Sequence, residues 1–153
     1  KQYHLPEEIQ KTVAEMPTAT RQACARDMMA TNITSLDATT CVQDAVAIFQ
    51  TDPHSTYPVI EDGKVIGLLR RSVAYEWLKN HGLNQQTPVK DLPPAAPLSV
   101  DGATPVPELV QILMRSGVSK AVVVDGQNQL QGMVTLFDLL RPTQQNQSAG
   151  SAS

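Results

Sequence analysis

YPVIEDGKVIGLL, Tyr57 to Leu69, reads as two apolar strands around a tight turn, and KAVVVDGQNQLQGMV, Lys120 to Val134, repeats the same pattern. Asp62-Gly63 and Asp125-Gly126 offer the positive φ angles that a short hairpin needs. Outward from the hairpins, the chain matches itself at a shift of 64 positions, ungapped for about 35 residues. Arg26, Asp27 and Met28 fall on Lys90, Asp91 and Leu92; Ser35 and Asp37 on Ser99 and Asp101; Thr40 and Val42 on Thr104 and Val106. Ile48, Ser55 and Val59 fall on Ile112, Ser119 and Val123, and after one inserted residue Gly67 falls on Gly132.

Each copy carries the same elements in the same order. Thr40 is placed to cap a helix with Val42, Ala45, Val46 and Phe49 on one face; in the second copy Thr104 caps, Pro105 opens, and Val106, Leu109, Val110 and Leu113 form the stripe. The hairpin follows, and then a closing helix, SVAYEWLKN in one copy and FDLLR in the other. Each half is therefore strand, helix, strand, strand, helix. At about 60 residues neither half buries much surface alone, so the halves are expected to pack sheet against sheet. Ahead of them, Pro6, Glu7 and Glu8 open a short amphipathic helix with Ile9, Val13 and Met16 on its apolar stripe. At the far end, residues 143–153 are small and polar and are expected to form a flexible tail.

The 153 residues are 41% hydrophobic and 18% charged, with a formal net charge of −3. That balance lacks the basic excess of a nucleic-acid binder. No apolar run approaches the roughly 20 residues that cross a bilayer, and a signal-peptide layout is absent, so a cytoplasmic segment without direct membrane insertion is expected. Cys24 and Cys41 form no CxxC pair and read as free, mostly structural thiols. The chain opens on Lys1, which suggests a piece of a longer polypeptide whose other part could hold an activity.

The repeat, with ARDMMATNITSL, YPVIEDGKVIGLL and KAVVVDGQNQLQGMVTLFDLL in order, resembles a tandem pair of CBS domains, the module named after cystathionine β-synthase and often called a Bateman module. The resemblance covers about Ala25 to Pro142. It implies an α/β fold of two β-α-β-β-α motifs, packed sheet to sheet with pseudo-two-fold symmetry and preceded by a short N-terminal helix. The domains would be an N-terminal helix and linker over 1–24, a first CBS motif over 25–82, a second over 83–142, and the tail over 143–153. It also implies a regulatory module that binds AMP, ADP, ATP or an adenosine derivative in clefts between the halves and controls an effector domain of the same polypeptide. The alternative it implies is a ligand-free dimerisation module of a membrane transporter, channel or protease, and in either case a homodimer formed through CBS helices.

The family's ligand signature is Gly, two apolar residues, Ser or Thr, two more residues, then Asp. GMVTLFD meets it at Gly132, Thr135 and Asp138. A carboxylate can accept hydrogen bonds from both ribose hydroxyls, and a nearby hydroxyl adds a donor and acceptor. The same spacing is also a helix capping box, and the two roles are compatible. The resemblance further implies that Thr34, in the first strand, and His54, ahead of STYPVI, face the ligand, and that Ser119 and Lys120 turn polar and basic groups toward phosphate. Lys120 reads equally as a solvated strand end, Met133 as an adenine-slot or a core residue, and His54 as a surface histidine, because His4 and His81 offer it no metal-ligand spacing.

In the first copy, GLLRRSV puts Arg70 at the hydroxyl position and Val73 at that of the acid. One nucleotide per chain is expected, with Arg70 and Arg71 reaching a polyphosphate, filling the vacant pocket themselves, or, for Arg71, lying on the surface. No GxSxG elbow, HExxH, phosphate-cradling Gly-rich loop or recognisable Cys-His pair occurs, so no catalytic residues, catalytic cofactor or metal are expected.

Overall fold

The computed structural model describes residues 6–82, 86–92 and 96–140. They fall into two compact units, one built on each repeat.

The first-repeat unit holds residues 32–82, 86–92, 96–98 and 125–130. Strand β1 (Leu36–Asp37) runs parallel to β2 (Thr56–Glu61), which pairs antiparallel with β3 (Lys64–Arg70). As the sequence predicts, Asp62 (φ 54°) and Gly63 (φ 79°) form the two-residue turn that lets Glu61 face Lys64. Leu36, Phe49, Tyr57, Val59, Leu69 and Leu78 fill the core beneath helices α1 (Val42–Phe49) and α2 (Arg71–His81). Phe49 stacks on Tyr57 at 4.6 Å between centroids.

The second-repeat unit holds residues 6–31, 99–124 and 131–140. Strand β4 (Ser99–Asp101) runs parallel to β5 (Lys120–Val124), with β6 (Leu130–Thr135) next in the sheet. Helix α3 (Val106–Ser116) buries Val106, Leu109, Val110 and Leu113, and Gly117 ends it in the left-handed conformation. A short helix α4 (Leu136–Leu140) closes the repeat. The expected N-terminal helix spans Glu7–Ala14 and packs on α3, with Ile9 and Met16 buried. The polar residues 143–153 lie outside the described residues.

Each unit is completed by a segment that precedes the other repeat in sequence. In the first-repeat unit, Val42 N–H donates to Thr87 O at 2.9 Å and Val89 N–H to Thr40 O at 2.8 Å. In the second-repeat unit, Val106 N–H donates to Ala23 O at 3.0 Å and Ala25 N–H to Thr104 O at 2.8 Å. These bonds correct the expected caps. The residues before the helices are Cys41 and Pro105, not Thr40 and Thr104, and neither makes a side-chain cap. The reason is that backbone bridges, Cys41 with Pro88 and Cys24 with Pro105, already hold both helix starts and satisfy their leading N–H groups. The second hairpin also departs from expectation. Asn128 (φ 64°), not Gly126, takes the positive φ, because Asp125 Oδ1 accepts the Gln127 and Gln129 N–H groups and closes a longer loop.

Candidate functional site

Gly132, Met133 and Thr135 lie on β6 and Asp138 in the first turn of α4. A Cβ on Gly132 would come within 2.6 Å of Met29 Sδ and 2.7 Å of Ala30 O, so only glycine fits. The crossing backbone is held there by Met133 itself, whose N–H donates to Ala30 O at 3.0 Å and whose carbonyl accepts Ala30 N–H at 2.7 Å. The first residue of the signature is thus explained by packing. Thr135 Oγ1 accepts the Asp138 backbone N–H at 3.0 Å, which caps α4 and leaves the half-buried Asp138 at the positive end of the helix. Ser119 O accepts Leu136 N–H at 2.8 Å, which brings the start of β5, with Ser119 and Lys120, to the same junction. Five of the seven expected residues therefore gather in the second-repeat unit. Ser119 is exposed, whereas Lys120, Met133 and Thr135 are half-buried.

Thr34 and His54 belong to the first-repeat unit. Thr34 lies two residues ahead of β1 rather than in it, because only Leu36 and Asp37 pair with β2 while the Thr34 hydroxyl donates to the Asp52 carboxylate. Asp52 is the residue that the sequence reading missed. Its carboxylate also accepts His54 N–H at 2.9 Å and Tyr57 O–H at 3.1 Å, and it meets His54 Nδ1 at 2.7 Å. The Thr34 hydroxyl and then the His54 backbone N–H hold this carboxyl far below the usual carboxylate range. The signal available in sequence was the Asp-Pro-His run after α1, since an Asp at a turn accepts the N–H two residues on.

Arg71 opens α2 and turns inward. Its Nη2 donates to Asp52 O at 2.6 Å, to His54 O and to Tyr57 O–H at 3.1 Å, and its guanidinium carbon lies 5.9 Å from the centre of the Phe49 ring. The surface reading of Arg71 is therefore wrong, for the carbonyls of residues 52 and 54 converge on its fork. Arg70 is exposed and makes no cap, and Val73 packs toward the core. Arg71 N–H donates to Ser55 O at 2.9 Å, the same backbone bond that Leu136 makes to Ser119. The two junctions share a backbone and differ in chemistry. Cys24 and Cys41 are free thiols, as expected. No helix among the described residues is long and apolar enough to cross a membrane.

The fold of each unit, the doubled hairpin and the paired junctions define a tandem CBS architecture. The CBS domain model matches residues 25–78 and 89–142, and the chain belongs to that family. Among its relatives is the CBS domain-containing protein YhcV of Bacillus subtilis, 28% identical over 128 residues that cover 83% of this chain and 90% of YhcV. The CBS domain of a bacterial CNNM/CorC family Mg2+ transporter, solved in complex with ATP, matches with a TM-score of 0.71 and 20% identity over 88% of this chain and 93% of that one. CBSX2, solved in complex with AMP, matches with a TM-score of 0.65 and 20% identity over 82% of this chain and 98% of that one.

Proposed function

We propose that the chain is a non-catalytic regulatory module that binds one adenine nucleotide, AMP, ADP or ATP, through its second repeat. The observation that carries this reading is the β6–α4 junction. There, Thr135 spends one lone pair on the cap and Asp138 presents a carboxylate at the helix start, a chemistry suited to a vicinal diol. Lys120 and Ser119, at the neighbouring strand start, supply cationic and hydroxyl groups for phosphate. Met133 supplies an apolar surface. Two similar folds solved with ATP and AMP support the choice of ligand class. In the first repeat Arg70 and Val73 replace the hydroxyl and the acid, so that junction holds no ribose.

In this reading the chain is cytoplasmic, and the ligand controls an attached effector domain of the same polypeptide by its differential affinity for two conformations. A thermal-shift panel of AMP, ADP, ATP and S-adenosylmethionine tests it. At a hundredfold over its dissociation constant a ligand stabilises the bound state by about 2.7 kcal/mol. Asp138→Ala keeps the backbone N–H that Thr135 caps, so it removes the shift without removing the cap. Absence of any shift in the wild-type protein, or a shift that survives Asp138→Ala, sinks the proposal.

A second reading has its own observation. Phe137 is 70% exposed and Leu140 43% exposed on α4, which favours a homodimer formed through CBS helices. A dimer by light scattering that is lost in Phe137→Ser, with no nucleotide copurifying, supports the structural role instead.

A further inference from the structure

The second-repeat unit buries a polar side chain that finds no partner. Gln111, on α3, is 0% exposed, and among the described residues neither its Oε1 nor its Nε2 makes a hydrogen bond. It lies off the apolar stripe of Val106, Leu109, Val110 and Leu113 and shares its face of the helix with the half-buried Pro107 and Met114. At the shift of 64 the corresponding residues of the first repeat are Gln43, Ala47 and Gln50, and all three are exposed. The same helix face stands in water in one repeat and is closed over in the other. What packs on α3, within its own unit, is the N-terminal helix (Glu7–Ala14) and the helical turn after it (Thr18–Arg21).

This N-terminal segment is lightly tied. Among the described residues, the backbone hydrogen bonds of residues 6–22 close within residues 6–23, as Ile9 N–H to Pro6 O at 3.0 Å, Met16 N–H to Val13 O at 3.1 Å and Gln22 N–H to Thr18 O at 3.1 Å show. The first backbone tie to the rest of the unit comes at Ala23, whose carbonyl accepts Val106 N–H at 3.0 Å, followed by the bridge of Cys24 to Pro105. Ile9 and Met16 are the side chains that the segment buries. We propose that residues 6–22 form a strap that opens from α3 as one piece, up to the tie at Ala23 and Cys24, while the rest of the second-repeat unit stays folded, and that Gln111 is the residue that keeps this opening easy. The two buried apolar side chains seat the strap. The sealed amide opposes them, because water satisfies it only when the strap lifts, so the closed and open forms lie close in free energy. The face laid bare is one that the first repeat already carries in the open.

Amide hydrogen exchange on the full chain tests the proposal and needs no ligand. In the wild-type protein the amides of residues 9–16 are expected to exchange about tenfold or more faster than those of Leu109, Val110 and Leu113 on α3, and with little dependence on low concentrations of urea. Gln111→Leu, similar in size and with no polar group to seal, is expected to slow the exchange of the strap about tenfold, the cost of about one amide left without a partner. Ile9→Ser, which unseats the strap, is expected to bring its amides to unprotected rates while α3 stays protected. The strap is overturned if its amides and those of α3 exchange together in the wild-type protein, or if Ile9→Ser strips α3 of its protection as well. The role of Gln111 is overturned if Gln111→Leu leaves the rate of the strap unchanged or raises it.

Discussion

The β3–α2 junction and the β6–α4 junction are one backbone solution used twice with opposite chemistry. In both, the first helical N–H donates to the carbonyl of the residue before the inner strand, Arg71 to Ser55 at 2.9 Å and Leu136 to Ser119 at 2.8 Å. At β6–α4 a hydroxyl caps the helix and an acid stands in its first turn. At β3–α2 the capping position holds an exposed Arg70 with no cap bond, and the next residue, Arg71, reaches back into its own repeat. The difference teaches that a duplicated frame can keep its shape while the side chains at the junction differ, provided that a charged side chain placed there finds acceptors nearby. Arg71 finds two carbonyls and a phenol.

The largest effect expected from breaking this pairing is at Gly132. Gly132→Val forces a branched side chain against Met29 and the Ala30 carbonyl, and should cost about 3 kcal/mol in urea unfolding. Gly126→Val is the control, since nothing lies within 4 Å of a Cβ there, and it should be close to neutral. Next comes the Arg71–Asp52 network. Asp52→Asn is expected to lower the melting temperature at pH 7, because the amide cannot serve as acceptor for all the donors that now converge on the carboxylate. The effect has a pH signature. The folded-state pKa of Asp52 lies below its unfolded value of about 3.9, so its stabilisation is present above that value and is lost as the pH falls through the folded one. The gap between wild type and Asp52→Asn should therefore close in acid melts below about pH 4.

Thr135→Ala removes the cap of α4 and should cost about 1 kcal/mol. The smallest effect runs the other way. Arg70→Thr gives α2 the cap that α4 already has and should gain about 0.5 kcal/mol. A loss of stability in Arg70→Thr would mean that the exposed arginine contributes something at this junction that the cap does not replace.

The repeat made most of the fold legible, since a shift of 64 aligns the positions whose backbone bonds at the helix starts and at the strand–helix junctions recur in both units. The helix caps were misplaced by one residue because their true partners, Ala23 and Thr87, are remote in sequence and leave no local pattern. Thr135 and Asp138 stood out because their pattern is local. Asp52 stayed hidden for the opposite reason: its partners Thr34 and Arg71 come from 18 and 19 residues away, and only its bonds to His54 lie within a turn. Arg71 was legible as a charge, but its direction was set by carbonyls, which carry no residue signature.

The crossing of leading segments also bears on how the chain is made. Residues 87–92 finish the unit of the first repeat, so a ribosome that has delivered the whole first hairpin and α2 has not yet delivered the piece that closes their core, where Val89 and Leu92 are buried. The reverse holds at the other end, where residues 23–30 emerge early and wait for β4, α3 and β6 before Ala25 and Met29 have anything to pack against. Synthesis therefore cannot hand over the two repeats as independent parcels. The order of emergence makes late closure of both units an intrinsic property of the topology, and a truncation after α2 should yield a first repeat that is open to proteolysis at its hairpin and at α1.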